Sequence, residues 1–297
     1  MKVSGYTIVR NGVKYDYPFI ESIQSVLPLV DEMIVAVGKS EDNTLEKVRE
    51  VNSPKIKVIE TVWDENIRTG GYILAIESDK AKAFVSKDAD WLLYIQADEV
   101  IDEKYHVEIK NALIKYEDDE KVDGLLFSYK HFYGAYKYVA DGIKWYKHEI
   151  RIIKNDPQIH SYKDAQGFRK NGKKLNVKKI DAYIYHYGWV KNPSKMLEKH
   201  IDFGKYWRNE AEQLAYNNTL TKSNLNKQYQ YDQIDSISLF TGKHPEVMKD
   251  RIANAPWQTE LNPFEKKFRT LKQQIFYWFQ SKFGWRPFEY KNYKIVK

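Results

Sequence analysis

The chain has 297 residues, of which 30% are charged and 15% aromatic, and its formal net charge is +7. It contains no cysteine, which excludes disulfides and thiolate metal sites, so any metal must be held by carboxylates and imidazoles. No stretch approaches the roughly 18 apolar residues that a membrane-spanning helix needs. The start, MKVSGYTIVRNG, lacks the basic-then-apolar layout of a secretory signal, and we expect a cytoplasmic protein.

The first hundred residues alternate strand-like and helix-like segments. Apolar, β-branched runs predict strands at residues 6–9, 33–37, 56–62 and 91–95. Apolar residues at helical spacing, or capping residues before a helical run, predict helices at 18–29, about 44–51 and 71–85. Because the connections are short, this alternation predicts right-handed crossovers and a mainly parallel sheet.

The pattern changes after residue 100. Strands are predicted at 122–133, 149–153 and 180–187, joined by longer polar loops that contain Gly134, Gly142, Gly167 and Gly172. From Pro193 onward the chain is predicted to be mostly helical. Residues 209–231, rich in Asn and Gln, show the weakest structural signal.

Two adjacent acids, Asp98 and Glu99, leave the apolar strand in DWLLYIQADEVI. In an open parallel sheet, ligands bind beyond the carboxyl ends of the strands. Carboxylates placed there suit Mg²⁺ or Mn²⁺, which can bridge a pair of phosphates. The alternative is that both acids cap the following helix, which is predicted to start near Asp102.

DWLLYIQADEVI resembles the strand and acidic motif of family 2 glycosyltransferases, in which an Asp-x-Asp-type motif holds a metal and a diphosphate. TIVRNG resembles the first strand and basic-Asn turn of that family, and VDEMIVAVGKSEDNT its second strand and following turn. The Gln-Ala-Asp-Glu form further resembles a bacterial subgroup with segments like HFYG, WYKHEIRIIKN, HSYKDAQGFRKNGKKL and IYHYGWVKNP. The likeness runs from about residue 4 to residue 200.

This resemblance implies an α/β fold of GT-A type, with a mainly parallel, Rossmann-like sheet flanked by helices. Residues 1–192 would form the glycosyltransferase domain, with a nucleotide-sugar half at about 1–100 and an acceptor half at about 101–192. Residues 193–297 would form a mostly helical C-terminal extension. The implied reaction is inverting, metal-dependent transfer from a UDP- or GDP-linked sugar to a saccharide or lipid-linked acceptor, in cell-surface polysaccharide synthesis.

The resemblance also implies site residues. Asp98, Glu99 and His186 would hold Mn²⁺ or Mg²⁺, although a lone histidine among aromatic residues is more often a core residue. Gln96 stands in place of the first acid of the motif, and Val37 where many members carry an Asp that recognises the donor base. Asp42 would contact the nucleotide or cap the helix that follows it. The residues expected at the nucleotide-sugar are Val9, Arg10, Asn11, Val37, Asp42, Arg68, Gly71, Gln96 and Ala97.

An inverting transfer requires a carboxylate that deprotonates the attacking hydroxyl. By resemblance, Asp164 in YKDAQGF holds the place of the catalytic acid. Glu149 competes for this role, and it would otherwise pair with a neighbouring basic residue. Basic residues near the diphosphate would stabilise the leaving group, and the candidates are Arg10, Arg68, Lys87, Arg151 and Arg169.

The sequence also bears on three alternatives to a glycosyltransferase. A nucleotidyltransferase would carry a Gly- and Arg/Lys-rich loop after the first strand, and VRNGVKYDYP is poor in both. The acid missing at Gln96 keeps an inactive sugar-nucleotide-binding scaffold in consideration. A nucleic-acid partner is not expected, because the lysines are spread evenly rather than clustered.

The basic, aromatic C-terminal segment, FEKKFRTLKQQIFYWFQSKFGWRPFEYKNYKIVK, allows two interpretations. Its composition suits a helix lying in the interface of an anionic membrane, which would place the protein on the inner face of the plasma membrane. The other interpretation is a helix packed on the enzyme with its basic face in water.

Overall fold

The computed structural model describes residues 1–223, 228–286 and 289–296. The strands are β1 (Val3–Val9), β2 (Glu32–Gly38), β3 (Ile56–Thr61), β4 (Trp91–Tyr94), β5 (Glu99–Ile101), β6 (Gly124–Tyr133), β7 (Ala135–Ala140), β8 (His148–Lys154), β9 (Ile159–Tyr162), β10 (Gly167–Lys170), β11 (Lys173–Lys174), β12 (Asn176–Trp189), β13 (Ile237–Leu239) and β14 (Lys294–Ile295). The α-helices are α1 (Phe19–Val26), α2 (Thr44–Glu50), α3 (Tyr72–Lys82), α4 (His106–Lys115), α5 (Pro193–Phe203), α6 (Glu210–Ser223), α7 (Lys249–Ala253) and α8 (Leu271–Phe283).

The first half of the chain forms a parallel sheet in the order β3-β2-β1-β4. β1 and β2 are buried along their whole length, which explains why Glu32 is the single charged residue in the two strands. Alternate residues of these strands enter two hydrophobic clusters, one shared with Ile23 of α1 and the other with Ile73 of α3. The sheet is thus covered by helices on both faces, which confirms the predicted α/β class.

The second half of the sheet is mixed. β8 runs antiparallel to β4 and β6, whereas β12 runs parallel to β6 and antiparallel to β5. Beside the main sheet, β9, β10 and β11 form a small antiparallel sheet. The sequence predicts polar loops here, because these strands are too short and too polar to produce a clear alternating pattern.

The C-terminal extension is helical at first, beginning with α5, whose N-terminus is capped by the side chain of Asn192. The segment with the weakest sequence signal contains α6, although residues 224–227 of it lie outside the described part of the chain. The extension also contributes two short strands to the main sheet: β13 pairs with β7, and β14 with β12. It is therefore built into the same sheet as the rest of the chain.

Candidate active site

A cavity of about 470 Å³ lies beyond the carboxyl ends of β1 and β4. Val9 and Arg10 contribute the end of β1, and Gln96, Ala97 and Asp98 follow β4. This is the edge of a parallel sheet at which ligands bind in α/β proteins. The opposite wall comes from α5 and the residues after it, so the extension completes the cavity.

Asp98 and His186 meet on the wall of this cavity. Asp98 follows β4, and His186 lies near the end of β12, which places Asp98 Oδ2 and His186 Nε2 3.6 Å apart. Gly188 makes this approach possible, because a Cβ atom there would lie 2.5 Å from Asp98 Oδ2 and 2.9 Å from His186 Nε2. Both side chains retain some exposure to the cavity, so both can reach a ligand in it.

The tautomer of His186 follows from its contact with His131 on β6. His131 Nε2 donates to the carbonyl of Tyr146 at 2.7 Å, and burial lowers the pKa of His131 well below its ordinary value. The neutral His131 ring therefore accepts at Nδ1, 3.1 Å from His186 Nδ1, which donates. When the His186 ring is neutral, its Nε2 lone pair therefore faces Asp98, as a metal ligand requires, and when the ring is protonated, Nε2 carries a proton toward that carboxylate.

Asp98 is ionised because of its neighbours. Burial alone would raise the pKa of Asp98, but His186 in its protonated form and the charge of Lys199 outweigh burial and hold that pKa well below its ordinary range. Lys199 itself lines the cavity and donates from Nζ to the carbonyl of Gly188 at 3.3 Å. The acid of the motif therefore stays a carboxylate across the physiological pH range.

These residues suit a divalent cation that takes only part of its coordination shell from protein. Among the described residues, no three His, Asp or Glu side chains are grouped so that they could together hold a metal. Asp98 and His186 offer one oxygen and one nitrogen on an open wall, and Mg²⁺ and Mn²⁺ commonly complete such a shell with water and substrate phosphates. The pair therefore fits a metal that is shared with a diphosphate.

The structure places Glu99 differently from the expectation that it assists Asp98. Asp98 lies in the turn after β4, whereas Glu99 begins β5 and is fully buried, away from the cavity. Its two oxygens accept from Nε and Nη2 of Arg151, each at 2.7 Å, and Oε1 also accepts from the hydroxyl of Tyr129 at 2.8 Å. This geometry argues against Glu99 as a metal ligand and against Arg151 as a diphosphate contact.

Replacing Arg151 with methionine is expected to lower the free energy of unfolding by about 3–5 kcal/mol, because Glu99 would become an uncompensated buried charge. Urea denaturation followed by circular dichroism measures this loss. The matched control is Arg49→Met, since Arg49 pairs with Glu60 and both side chains are more than half exposed. That control should lose less than about 1 kcal/mol. Equal small losses in both variants would contradict the buried pair.

Asp164 lies in the turn between β9 and β10 and lines the cavity. The residues on either side of it, Lys163 and Ala165, both have positive φ, at 57° and 58°. Strain of this kind costs about 1–3 kcal/mol per residue and concentrates at functional sites. Gln96 Nε2 donates to the carbonyl of Ala165 at 3.2 Å, which ties the turn to the acidic motif. Burial raises the pKa of Asp164, which makes it a stronger base.

Gly71 packs against this turn. Its φ is +71°, and a Cβ atom there would lie 2.8 Å from Cβ of Asp164 and 2.8 Å from the Trp207 ring. Its N–H donates to the carbonyl of Tyr206 at 2.9 Å and is not free for a phosphate. The glycine therefore allows Asp164 and Trp207 to approach each other, rather than opening α3 toward a ligand.

Glu149, the competing candidate for the general base, lies behind the cavity wall. It is buried on β8, and Gln166, which does line the cavity, donates from Nε2 to Glu149 Oε1 at 2.9 Å. Burial raises the pKa of Glu149 to about 8, so the carboxyl is neutral at pH 7 and cannot accept a proton there. The buried position and the neutral carboxyl of Glu149 both argue against it as the general base, which favours Asp164 for that role.

The buried, neutral Glu149 should make stability depend on pH. Its pKa rises from 4.5 to about 8 on folding, so the stabilisation is fully present below pH 4.5 and is lost as the pH rises through 8. At about 1.4 kcal/mol per pKa unit, we expect Glu149 to account for a decrease of about 3–5 kcal/mol between about pH 5 and 9. Urea denaturation of Glu149→Gln should show a flatter pH profile than wild type. The exposed-acid control Glu60→Gln should follow wild type, and parallel profiles for all three would contradict the raised pKa.

The remaining residues expected at the nucleotide-sugar fall into three groups. Val9, Arg10, Gln96 and Ala97 line the cavity. Val37 and Asp42 lie instead in a second cleft of about 360 Å³ at the end of β2. Asn11 and Arg68 line neither of the two.

Asp42, Asn11 and Arg68 have structural partners. Asp42 accepts from the N–H groups of Thr44 at 3.0 Å and Lys14 at 2.6 Å, so its carboxylate holds the turn that leads into α2. Asn11 is turned toward the β2–α2 connection, where it accepts from the N–H of Glu41 at 2.8 Å. Arg68 lies 3.3 Å from a carboxylate oxygen of Glu210.

Five basic residues were expected at the diphosphate. Among the described residues, Arg10 is the one of these five that lines the cavity. Its Nη1 donates to the hydroxyl of Tyr206 at 2.6 Å, and its Nη2 donates to Glu65 at 2.8 Å. Of the other candidates, Lys87 is exposed, and Arg169 donates to the carbonyl of Asn292 and lies 3.8 Å from the Tyr162 ring. The hydrogen bonds to Tyr206 and Glu65 thus fix the guanidinium of Arg10 at the end of β1.

Sequence reasoning missed much of the cavity wall. His131 and Trp145 lie in segments that carry the family resemblance, HFYG and WYKHEIRIIKN, and that signal could have identified them. The wall from the extension has no such signal, because those residues follow the resembling part of the chain or lie at its end. The lining residues that were not predicted include Trp63, Trp189, Lys199, His200, Phe203, Trp207, Arg208 and Tyr216.

No family model and no curated protein matches the chain. Its structure is similar to that of TarS 1–349 from S. aureus, with a TM-score of 0.40 at 17% identity over 75% of this chain and 72% of that one. For TarS 1–349 in complex with UDP, the TM-score is 0.42 at 15% identity, over 76% of this chain and 72% of that one. The TM-score is 0.28, at 20% identity over 44% of each chain, for glucosyl-3-phosphoglycerate synthase from Mycobacterium tuberculosis in complex with Mn²⁺, UDP and glucosyl-3-phosphoglycerate. Similarities this distant carry no assignment, so the function is argued from the site.

Proposed function

We propose that this chain is a metal-dependent, inverting glycosyltransferase of GT-A type that uses a nucleotide-diphosphate sugar. The observation that carries the proposal is the meeting of Asp98 and His186 on the wall of a cavity at the carboxyl edge of the parallel sheet. A carboxylate and an imidazole that leave most of a coordination shell open suit a cation that also binds a diphosphate. The family resemblance of the DWLLYIQADEVI segment supports the same conclusion.

In this proposal the donor diphosphate lies near Asp98, and a divalent cation bound there would stabilise the charge that develops on the leaving diphosphate. Arg10 and Lys199 add positive charge to the same cavity. Rings on the wall, among them Trp63, Trp145 and Trp207, offer faces for a base or a sugar and exclude water from the reacting atoms.

Asp164 is proposed as the general base. It takes the proton of the acceptor hydroxyl as that oxygen forms a bond to the anomeric carbon of the donor sugar. The bond from that carbon to the diphosphate oxygen breaks, and the nucleoside diphosphate leaves with the electron pair. Attack opposite the leaving group inverts the anomeric configuration. The acceptor on this proposal is a hydroxyl of a saccharide or of a lipid-linked saccharide.

Thermal unfolding in the presence of nucleotides tests the proposal. UDP or GDP should raise the melting temperature with Mn²⁺ present and much less without it, because a ligand that binds the folded state stabilises it by mass action. The same screen with UDP- and GDP-linked sugars, followed by detection of released nucleoside diphosphate, tests catalysis. Binding without any release would favour the inactive scaffold, and no metal-dependent shift with either nucleotide would overturn the proposal.

A further inference from the structure

The C-terminal helix α8 is attached to the rest of the protein through its polar side. Gln280 Nε2 donates to the carbonyl of Asp141 at 2.6 Å, and the hydroxyl of Tyr277 donates to the Asp141 carboxylate at 3.4 Å. Just after the helix, Arg286 donates to the carbonyls of Gly142, at 3.1 Å, and Trp145. No residue of α8 is buried. Hydrogen bonds from Tyr277, Gln280 and Arg286 thus attach this side of the helix, and the rings of Phe276, Tyr277 and Phe279 are half-buried.

The opposite side of α8 presents apolar side chains to solvent. Leu271, Ile275 and Trp278 follow one another at helical spacing, so they share one face. Leu271 is 71% exposed and Trp278 50%, and just beyond the helix the Trp285 side chain is 59% exposed. We call Leu271, Ile275, Trp278, Phe283 and Trp285 the α8 face. A helix that only packed on the enzyme would turn its polar side to water, whereas α8 turns these apolar side chains to solvent.

The charge around the α8 face is positive. The helix sequence, LKQQIFYWFQSKF, contains two lysines and no acid. Lys272, Lys282 and the preceding Arg269 are all exposed. A second copy of this chain would bring the same cations together across the contact. An anionic surface would complement them, and helices that combine Trp and Phe with Lys and Arg are typical of membrane interfaces.

We propose that the α8 face binds the surface of an anionic lipid bilayer, with its aromatic and aliphatic side chains in the headgroup region and its lysines at the lipid phosphates. The attachment is peripheral: no helix in the described ranges is long and apolar enough to cross a membrane. Arg286, just after the helix, donates to the carbonyl of Trp145, a residue that lines the cavity, so the segment that follows α8 is tied to the cavity wall. The proposal does not depend on the proposed reaction.

Co-sedimentation of the full chain with lipid vesicles tests the proposal. The protein should pellet with vesicles of phosphatidylcholine and phosphatidylglycerol in equal amounts, and not with phosphatidylcholine alone. The double variant Ile275→Gln/Trp278→Gln should bind at least about tenfold more weakly, since it removes two apolar side chains that would enter the interface. Lys272→Glu/Lys282→Glu should weaken binding to the anionic vesicles and leave the thermal stability unchanged.

The matched control is Phe84→Gln/Ile114→Gln, which removes two equally exposed apolar side chains from other surfaces. It should bind vesicles like wild type. Equal pelleting of wild type and the α8 double variant would overturn the proposal. So would concentration-dependent self-association without lipid that the α8 substitutions abolish, measured by analytical ultracentrifugation, because that outcome assigns the face to a second copy.

Discussion

Replacing Asp98 with asparagine should abolish the Mn²⁺-dependent part of nucleotide binding. Asp98 is the one acid of the Gln-Ala-Asp-Glu motif that faces the cavity, and its low pKa keeps it ionised. Asparagine keeps the shape but loses the charge that a divalent cation requires. Isothermal titration of UDP and GDP, with and without Mn²⁺, measures the effect. We expect at least about a hundredfold loss of the metal-dependent affinity, since removing a charged ligand commonly costs several kcal/mol.

Asp42→Asn is the matched control for this experiment. Asp42 is also an acid beyond the carboxyl end of a parallel strand, but it lies in the second cleft and holds the turn before α2. It should lose some thermal stability, and its metal-dependent affinity should match that of wild type. If Asp42→Asn loses nucleotide binding and Asp98→Asn keeps it, the donor occupies the cleft at the end of β2 and the metal assignment is wrong.

Asp164→Asn should lower turnover by about 10²- to 10⁴-fold and leave donor affinity nearly unchanged, as expected for the loss of a general base. Asparagine cannot accept the proton of the attacking hydroxyl, whereas the cavity residues that hold the donor remain in place. Release of nucleoside diphosphate measures turnover, and calorimetry measures donor affinity. The fall in rate toward low pH that protonation of Asp164 causes should also disappear.

Glu149→Gln is the control, because it replaces a buried, neutral carboxyl with a neutral amide of similar shape. Its turnover should stay close to wild type. The reverse result, with turnover lost in Glu149→Gln and kept in Asp164→Asn, would assign the base to Glu149. Nuclear magnetic resonance of the product should show an inverted anomeric centre, and retention would exclude a single displacement.

Most of the parallel half of the fold is predictable from local sequence because β1, β2 and β4 are buried along their whole length, whereas the edge strand β3 is only partly buried. β2 and β4 therefore carry nearly continuous apolar runs, β1 carries no charged residue, and each strand ends at a polar turn. β9 and β10 are four residues each and partly exposed, so they lack such a run. Their pairing depends on residues that meet only in the folded sheet.

The candidate site was also predictable only in part from local sequence. The motif places two adjacent acids at the end of β4, but their directions depend on the pairing of Glu99 with His186 across β5 and β12. A turn at Ala97 and Asp98 means that the two acids do not share a single strand, so alternation along the sequence does not indicate which of them faces the cavity. The role of His131 requires β6 to pair with β12, so that its ring meets that of His186, 55 residues away. Contacts between residues that are this far apart in the sequence leave no periodic signal in it.

The hydrogen bond between Arg10 and Tyr206 has a consequence for how the protein is synthesised. The two residues are 196 positions apart, so a chain leaving the ribosome exposes the end of β1 long before its partner exists. The early strands can pair as soon as β4 emerges, because their contacts lie within the first hundred residues. The cavity gains its second wall only after α5 and Tyr206 have been made. Nascent chains that stop before α5 should therefore contain the sheet without a binding site, and donor binding arises late in translation.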